Sequence, residues 1–139
     1  MDPSAVVDEA AAQRWLFAYG RAWETYDAAA ISALFSEDAE YRWHPWDSGP
    51  AIAHGRKAIV EAWLDGRDKP GTYTGEWRPL LVHGDTVIAV GVSRYYTDAT
   101  HRTLDREYHN LWVIEFDAEG RCRSFTEWFM KTPKPRRKS

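Results

Sequence analysis

A single cysteine, Cys122, excludes an intrachain disulfide and any cysteine-rich metal cage. A chain that needs no oxidising environment is expected in the cytoplasm. No apolar run approaches the roughly 18 residues of a membrane-spanning helix, so no membrane partner is expected. The opening MDPSAVVDEAAAQ lacks a basic stretch followed by an apolar one and does not read as a secretory signal. Five histidines are scattered without H-x-x-x-H or comparable spacing, and no metal site is expected. G-x-G-x-x-G, Walker, G-x-S-x-G and C-x-x-C patterns are all missing. Nucleotide, flavin and serine-hydrolase chemistry therefore have no support, and no cofactor is expected.

The formal net charge of −3 conceals an asymmetry. The last nine residues hold Lys131, Lys134, Arg136, Arg137 and Lys138 and no acid, which leaves −8 on the rest of the chain. An acidic body argues against a nucleic-acid partner. Residues 132–139, with two prolines and no apolar anchor, are expected to form a basic disordered tail, because no burial would offset the entropy of ordering them. Residues 1–131 have the length of one domain.

Aromatic residues are abundant instead. Eight tryptophans in 139 residues suggest walls around a cavity, an interface or a bulky core, since an indole is rarely sealed completely and its N–H wants an acceptor. Asp2-Pro3 is a helix-start signal. From there to about Thr25, the residues Ala12, Trp15, Tyr19, Ala22, Trp23 and Tyr26 recur at spacings of three and four, one face of a long helix. Asp27 can cap a short helix, residues 28–35. Residues 40–43 read as a strand and His44–Pro50 as a loop. A third helix begins near Gly55, with Ile59, Ala62 and Trp63 on one face. Four long strands follow, at about 73–82, 86–97, 103–116 and 121–131. His83-Gly84-Asp85 and Asp117–Gly120 make antiparallel hairpins of their neighbours. Helices first and a meander afterwards is an α+β pattern.

The runs Trp23–Asp27, Leu34–Tyr41, His54–Ile59, His109–Arg121 and Phe125–Trp128 resemble, in this order, the nuclear transport factor 2-like superfamily, and most of all its SnoaL-like group. That resemblance implies a cystatin-like cone: a strongly curved, mostly antiparallel sheet wrapped around a long N-terminal helix with two shorter ones. It also implies an open end leading to a cavity. The superfamily includes isomerases, dehydratases, epoxide hydrolases, cyclases and non-catalytic binders, so the fold alone does not choose an activity. In the register set by Leu34-Phe35, Tyr19 takes the place of the tyrosine of ketosteroid isomerase. Trp43 and Trp112 then replace its two aspartates, and a one-residue slip would bring His44 to the first. That chemistry is not expected here. The carboxylate–arginine and two-histidine patterns of the epoxide hydrolases and dehydratases are not matched.

Strand parity names the candidates. With Trp112 facing inward, Tyr108, Asn110, Ile114 and Phe116 face inward too; on the last strand the register that the resemblance implies puts Phe125, Glu127 and Phe129 inward. Glu127, Tyr19 and Asp47 are the acid–base candidates; their plainer readings are a buried structural carboxylate bonded to Tyr or Trp (or a surface residue), a core tyrosine, and a loop aspartate bonded to its own backbone. Trp15, Trp43, His44, Trp46, Tyr108, Asn110, Trp112 and Phe125 are the candidate ligand-binding residues. Three readings follow: a cofactor-independent enzyme on a small apolar or aromatic molecule, a binder of such a molecule, or a structural module. His109, Leu111, Val113, Trp128 and Met130 would face outward together, and a homodimer is expected to cover them.

Overall fold

The computed structural model describes residues 7–133. Asp2-Pro3 and the tail from residue 134 onward lie outside the described residues. The first helix, α1 (Glu9–Thr25), is capped by Asp8, whose carboxylate accepts the Ala11 N–H at 2.8 Å. Its stripe buries Ala12, Trp15, Tyr19 and Ala22, and Leu16 beside them, while Phe17 on the polar side is 71% exposed. The helix ends at Tyr26, in the left-handed region at φ 48°, a conformation that non-glycine residues keep only when neighbours hold them. Here the Tyr26 hydroxyl donates to Asp68 Oδ2 at 3.2 Å. The Tyr73 hydroxyl meets the carbonyls of Trp23 and Glu24 at 2.8 and 3.1 Å, serving the last turn of the helix.

Asp27 caps α2 (Ala28–Leu34), and β1 (Phe35–Arg42) follows without a loop. β1 is longer than residues 40–43 because its first half pairs irregularly. The parallel register with the last strand shifts between Phe35 and Glu40, which breaks the alternation a strand is read from. A two-residue strand, β2 (Ala53–His54), lies antiparallel against β1 and is too short to show any period. After α3 (Arg56–Asp65), which buries Ile59 and Trp63, come β3 (Tyr73–His83), β4 (Thr86–Tyr96), β5 (Leu104–Phe116) and β6 (Cys122–Lys131). The sheet order is β2-β1-β6-β5-β4-β3, antiparallel throughout except where β1 meets β6.

The sheet curls around α1. The rings of Trp15 and Tyr19 meet Phe35 of β1, Trp77 of β3, Trp112 and Phe116 of β5 and Phe125 of β6, at centroid distances of 4.5 to 6.4 Å. One helix face reaches four strands only if the sheet is wrapped about it. Ile31, Phe35, Ile59, Val87, Ile114 and Cys122 are fully buried in the core of this arrangement.

Trp77 lies across the inner faces of β3 and β4, in a slot that two glycines leave open. A Cβ at Gly91 would overlap the Trp77 ring and the Glu76 carbonyl oxygen, and one at Gly75 would overlap the rings of Trp77 and Trp23. The indole stacks on Trp112 at 4.7 Å. Gly91→Ala is expected to displace Trp77 and to destabilise the fold by about 1–3 kcal/mol, as overpacking does. A urea unfolding midpoint equal to that of the parent would contradict this.

Candidate functional site

A cavity of about 200 Å³ opens between α1, α3 and the inner face of the sheet. Its deep wall is a polar network inside an aromatic cage. β5 and β6 pair Trp112 with Glu127 directly, so both side chains point the same way from neighbouring strands. The Trp112 indole donates to Glu127 Oε2 at 2.7 Å, and the Asn110 amide donates to the same oxygen at 2.9 Å. Asn110 Oδ1 in turn accepts from Ser93 Oγ at 3.1 Å and Trp77 Nε1 at 3.3 Å. Oε1 of Glu127 accepts from no described residue. Across the cavity the hydroxyls of Tyr19 and Tyr41 lie 2.9 Å apart.

Of the expected site residues, Glu127, Tyr19, Trp43, Asn110 and Trp112 line this cavity together. The others stand elsewhere, each for a physical reason. Trp15 is core: its N–H donates to the Leu34 carbonyl at 3.0 Å and its ring is enclosed. Phe125 is wholly buried behind the cavity wall, stacked on Tyr41 at 4.4 Å. Asp47 lies outside this cavity, with its carboxylate engaged in its own turn. Its Oδ2 accepts the backbone N–H groups of Trp43 and His44, both at 3.1 Å, and its Oδ1 meets His44 Nδ1 at 3.2 Å. Trp46 is 75% exposed and stacks on His44 at 4.8 Å, outside the cavity. Tyr108 and His44 both lean on Phe129, which keeps its inward parity but is half exposed.

The cavity also holds residues the sequence reading passed over: Tyr41, Trp63, Trp77, Ser93 and Tyr95. Tyr41 shares the parity of Trp43, two residues on. The antiparallel register of β4 and β5 sets Ser93 opposite Tyr108 and Gly91 opposite Asn110. Carrying parity from β5 across to β4 would have named Ser93 and Tyr95. Among the described residues no cluster of three His, Cys, Asp or Glu side chains is placed to hold a metal.

Residues 16–125 match the family described as SnoaL-like domain. The chain belongs to the SnoaL-like domain family. No curated protein matches it in sequence. Among solved structures it is similar to an NTF-2 like protein of unknown function from Burkholderia xenovorans LB400, at 18% identity and TM-score 0.66, over 92% of this chain and 89% of that one. It is also similar to an LEH-like epoxide hydrolase of M. tuberculosis, at 16% identity and TM-score 0.61, over 88% and 84%. A ketosteroid isomerase-like protein from Kribbella flavida DSM 17836 matches at 18% identity and TM-score 0.63, over 96% and 88%. Identities this low show a common fold and nothing of the chemistry.

In this SnoaL-like domain Glu127 is held above the ordinary carboxylate range. Burial is the largest cause. The hydrogen bonds from Trp112 and Asn110 and the nearby His44 pull it back only in part. The balance is as expected: a hydrogen bond to a charged group is worth about 1.5–3 kcal/mol, and the burial of a carboxylate without a paired cation costs several. Tyr19 and Tyr41 are pushed well above their usual value, first by burial, so both stay neutral hydrogen-bond donors.

The raised value links to stability. Below the ordinary glutamate value of 4.5 both folded and unfolded chains carry the Glu127 proton. Above it the unfolded chain releases the proton first while the folded chain keeps it, so stability falls as pH rises, until the folded group has also ionised. Glu127→Gln lacks this loss. Its stability relative to the parent is therefore expected to rise with pH from about 4.5 upward and then level off, read from urea unfolding between about pH 4 and 8. A difference that stays flat or falls over that range would contradict a raised Glu127.

Proposed function

We propose that this SnoaL-like domain is a cofactor-independent acid–base enzyme acting on a small aromatic or apolar molecule, with Glu127 as the proton carrier. One observation carries the reading: Oε2 of Glu127 is fixed by two N–H donors while Oε1 is left without a partner, in a cavity walled by indoles. A carboxylate with a raised pKa, one oxygen oriented and the other free, is suited to take a proton and return it near neutral pH. The Tyr19–Tyr41 pair supplies neutral hydroxyls for a substrate oxygen that gains charge. In the simplest step Oε1 removes a proton from a carbon beside a carbonyl. The C–H pair moves into the enolate, a tyrosine hydroxyl hydrogen-bonds the enolate oxygen, and protonated Glu127 gives the proton back. A void of about 200 Å³ is close to the roughly 150 Å³ that holds benzene in an engineered cavity, so a single ring fits and a fused polycycle does not.

Small aryl ketones in D₂O test the proposal. The protein is expected to exchange the hydrogens beside the carbonyl for deuterium, seen by proton NMR. Glu127→Gln should slow this by about 10²–10⁴-fold while tryptophan quenching by the ketone is retained. Binding without exchange in the parent would turn the reading to a non-catalytic ligand-binding protein.

The same proposal includes a homodimer through the outer face of the sheet. Leu111, Val113, Trp128 and Met130 line one apolar groove of about 540 Å³ there, and Met130 is 77% exposed. Such a patch is rarely left in water on a monomer. Sedimentation at micromolar concentration is expected to give a dimer, and Trp128→Glu a monomer. A monomeric parent would refute it.

A further inference from the structure

β5 carries a cation on its inward parity, four residues before Asn110. The regular register between β4 and β5 sets Arg106 opposite Tyr95, and it shifts only beyond that pair, where Tyr96 pairs with Leu104 and Asp105 is skipped. The guanidinium carbon sits 4.1 Å from the centre of the Tyr95 ring and 5.9 Å from that of Tyr108. Tyr95 is itself a wall of the cavity. The Arg106 Nε is buried and donates to no described residue. Its neighbour Asp105 places Oδ2 3.6 Å away, beyond hydrogen-bonding range, on a half-exposed side chain. That ion pair engages only the buried Nε; the Nη groups of the same guanidinium, on a side chain that is about a third exposed, make no hydrogen bond to a described residue and are open to an oxyanion.

We infer that Arg106 recognises a carboxylate on the molecule that the cavity takes, so that the ligand is an aryl acid rather than a neutral arene. This rests on the reading of the cavity as a ligand site but not on catalysis there. The surrounding charges orient such a ligand. Asp68, held by Tyr26 on the helix side, and Glu127 at the inner end both repel an anion. Lys131 of β6 pairs with Tyr108 in register and adds positive charge on the same side as Arg106. Four strand residues separate Arg106 from Asn110, about 13 Å of backbone. A ligand touching Arg106 with its carboxylate and the Glu127 end with its ring therefore needs a short chain between the two. Guanidinium geometry suits the two oxygens of a carboxylate, and the flat cation packed on a tyrosine ring is already oriented for them.

The test uses the full-length protein with 3-phenylpropanoate and its neutral isostere 3-phenylpropanamide, binding being read from tryptophan fluorescence and calorimetry. The acid is expected to bind about tenfold more tightly than the amide, the equivalent of one charge-assisted hydrogen bond, with the advantage shrinking as salt is raised. Arg106→Gln should bring the acid to the affinity of the amide and leave the amide unchanged. Lys131→Gln in parallel should keep most of the preference. Equal affinities in the parent, a preference that survives Arg106→Gln, or no binding of either probe would overturn the inference. An Arg106-dependent preference in a protein that exchanges no ketone hydrogens would support the carboxylate site and remove the catalytic reading alone.

Discussion

A helix face that carries Trp15 and Tyr19 needs more surface to leave water than a flat sheet can offer it. Each ring presents two faces and an edge, and each burial contributes only if dense packing follows. Phe35, Trp63, Trp77, Trp112, Phe116 and Phe125 supply that packing from four strands and α3. The curl of the sheet, the glycine slot under Trp77 and the cavity left where the rings stop are consequences of that one requirement.

So many indoles in one interior create a second constraint, because each N–H must find an acceptor. Trp15 uses a backbone carbonyl, Trp77 uses Asn110, and Trp112 uses Glu127. Glu127 is thus an acceptor that the packing requires and a carboxylate that the packing leaves half satisfied. Its two N–H partners hold it in place without supplying the full positive charge that would keep it ionised. A structural need and the proposed proton site coincide on one side chain, which is why the neutral isostere glutamine separates the two roles.

Relative to the arrangement that the ketosteroid isomerase comparison suggests, the carboxylate lies one strand over. Trp112 occupies the position on β5, and the Glu127 carboxylate stands on β6 directly across the ladder from it. Cross-strand neighbours on one face lie only about 4.5–5.5 Å apart at Cβ, so either strand can bring an acid to the same region of the cavity. Position along the chain is therefore a weaker guide to chemistry in this fold than the side-chain column a residue belongs to. Asp47 illustrates the converse. It lies three residues past His44 and two past Pro45, near the cavity mouth in sequence, yet three short contacts with Trp43 and His44 commit its carboxylate to its own turn.

Periodicity and turn chemistry in the sequence alone determined the helix stripe of α1 and the four long strands, while the inward facing of Asn110, Trp112 and Glu127 was legible only through the register of the family resemblance. The stripe and the strands are local properties: a period of 3.6 or 2 and the glycine of a tight turn act within a few residues. Only tertiary structure decided that Trp15 and Phe125 are sealed while Trp43 remains on the cavity surface, that Trp46 is in water, and that Tyr41, Trp77 and Tyr95 complete the walls. It also decided the irregular first half of β1, whose pairing with β6 is parallel and joins residues far apart in the chain. Whether an aromatic ring is core, wall or surface depends on what distant strands bring against it, and no spacing along the chain records that distance.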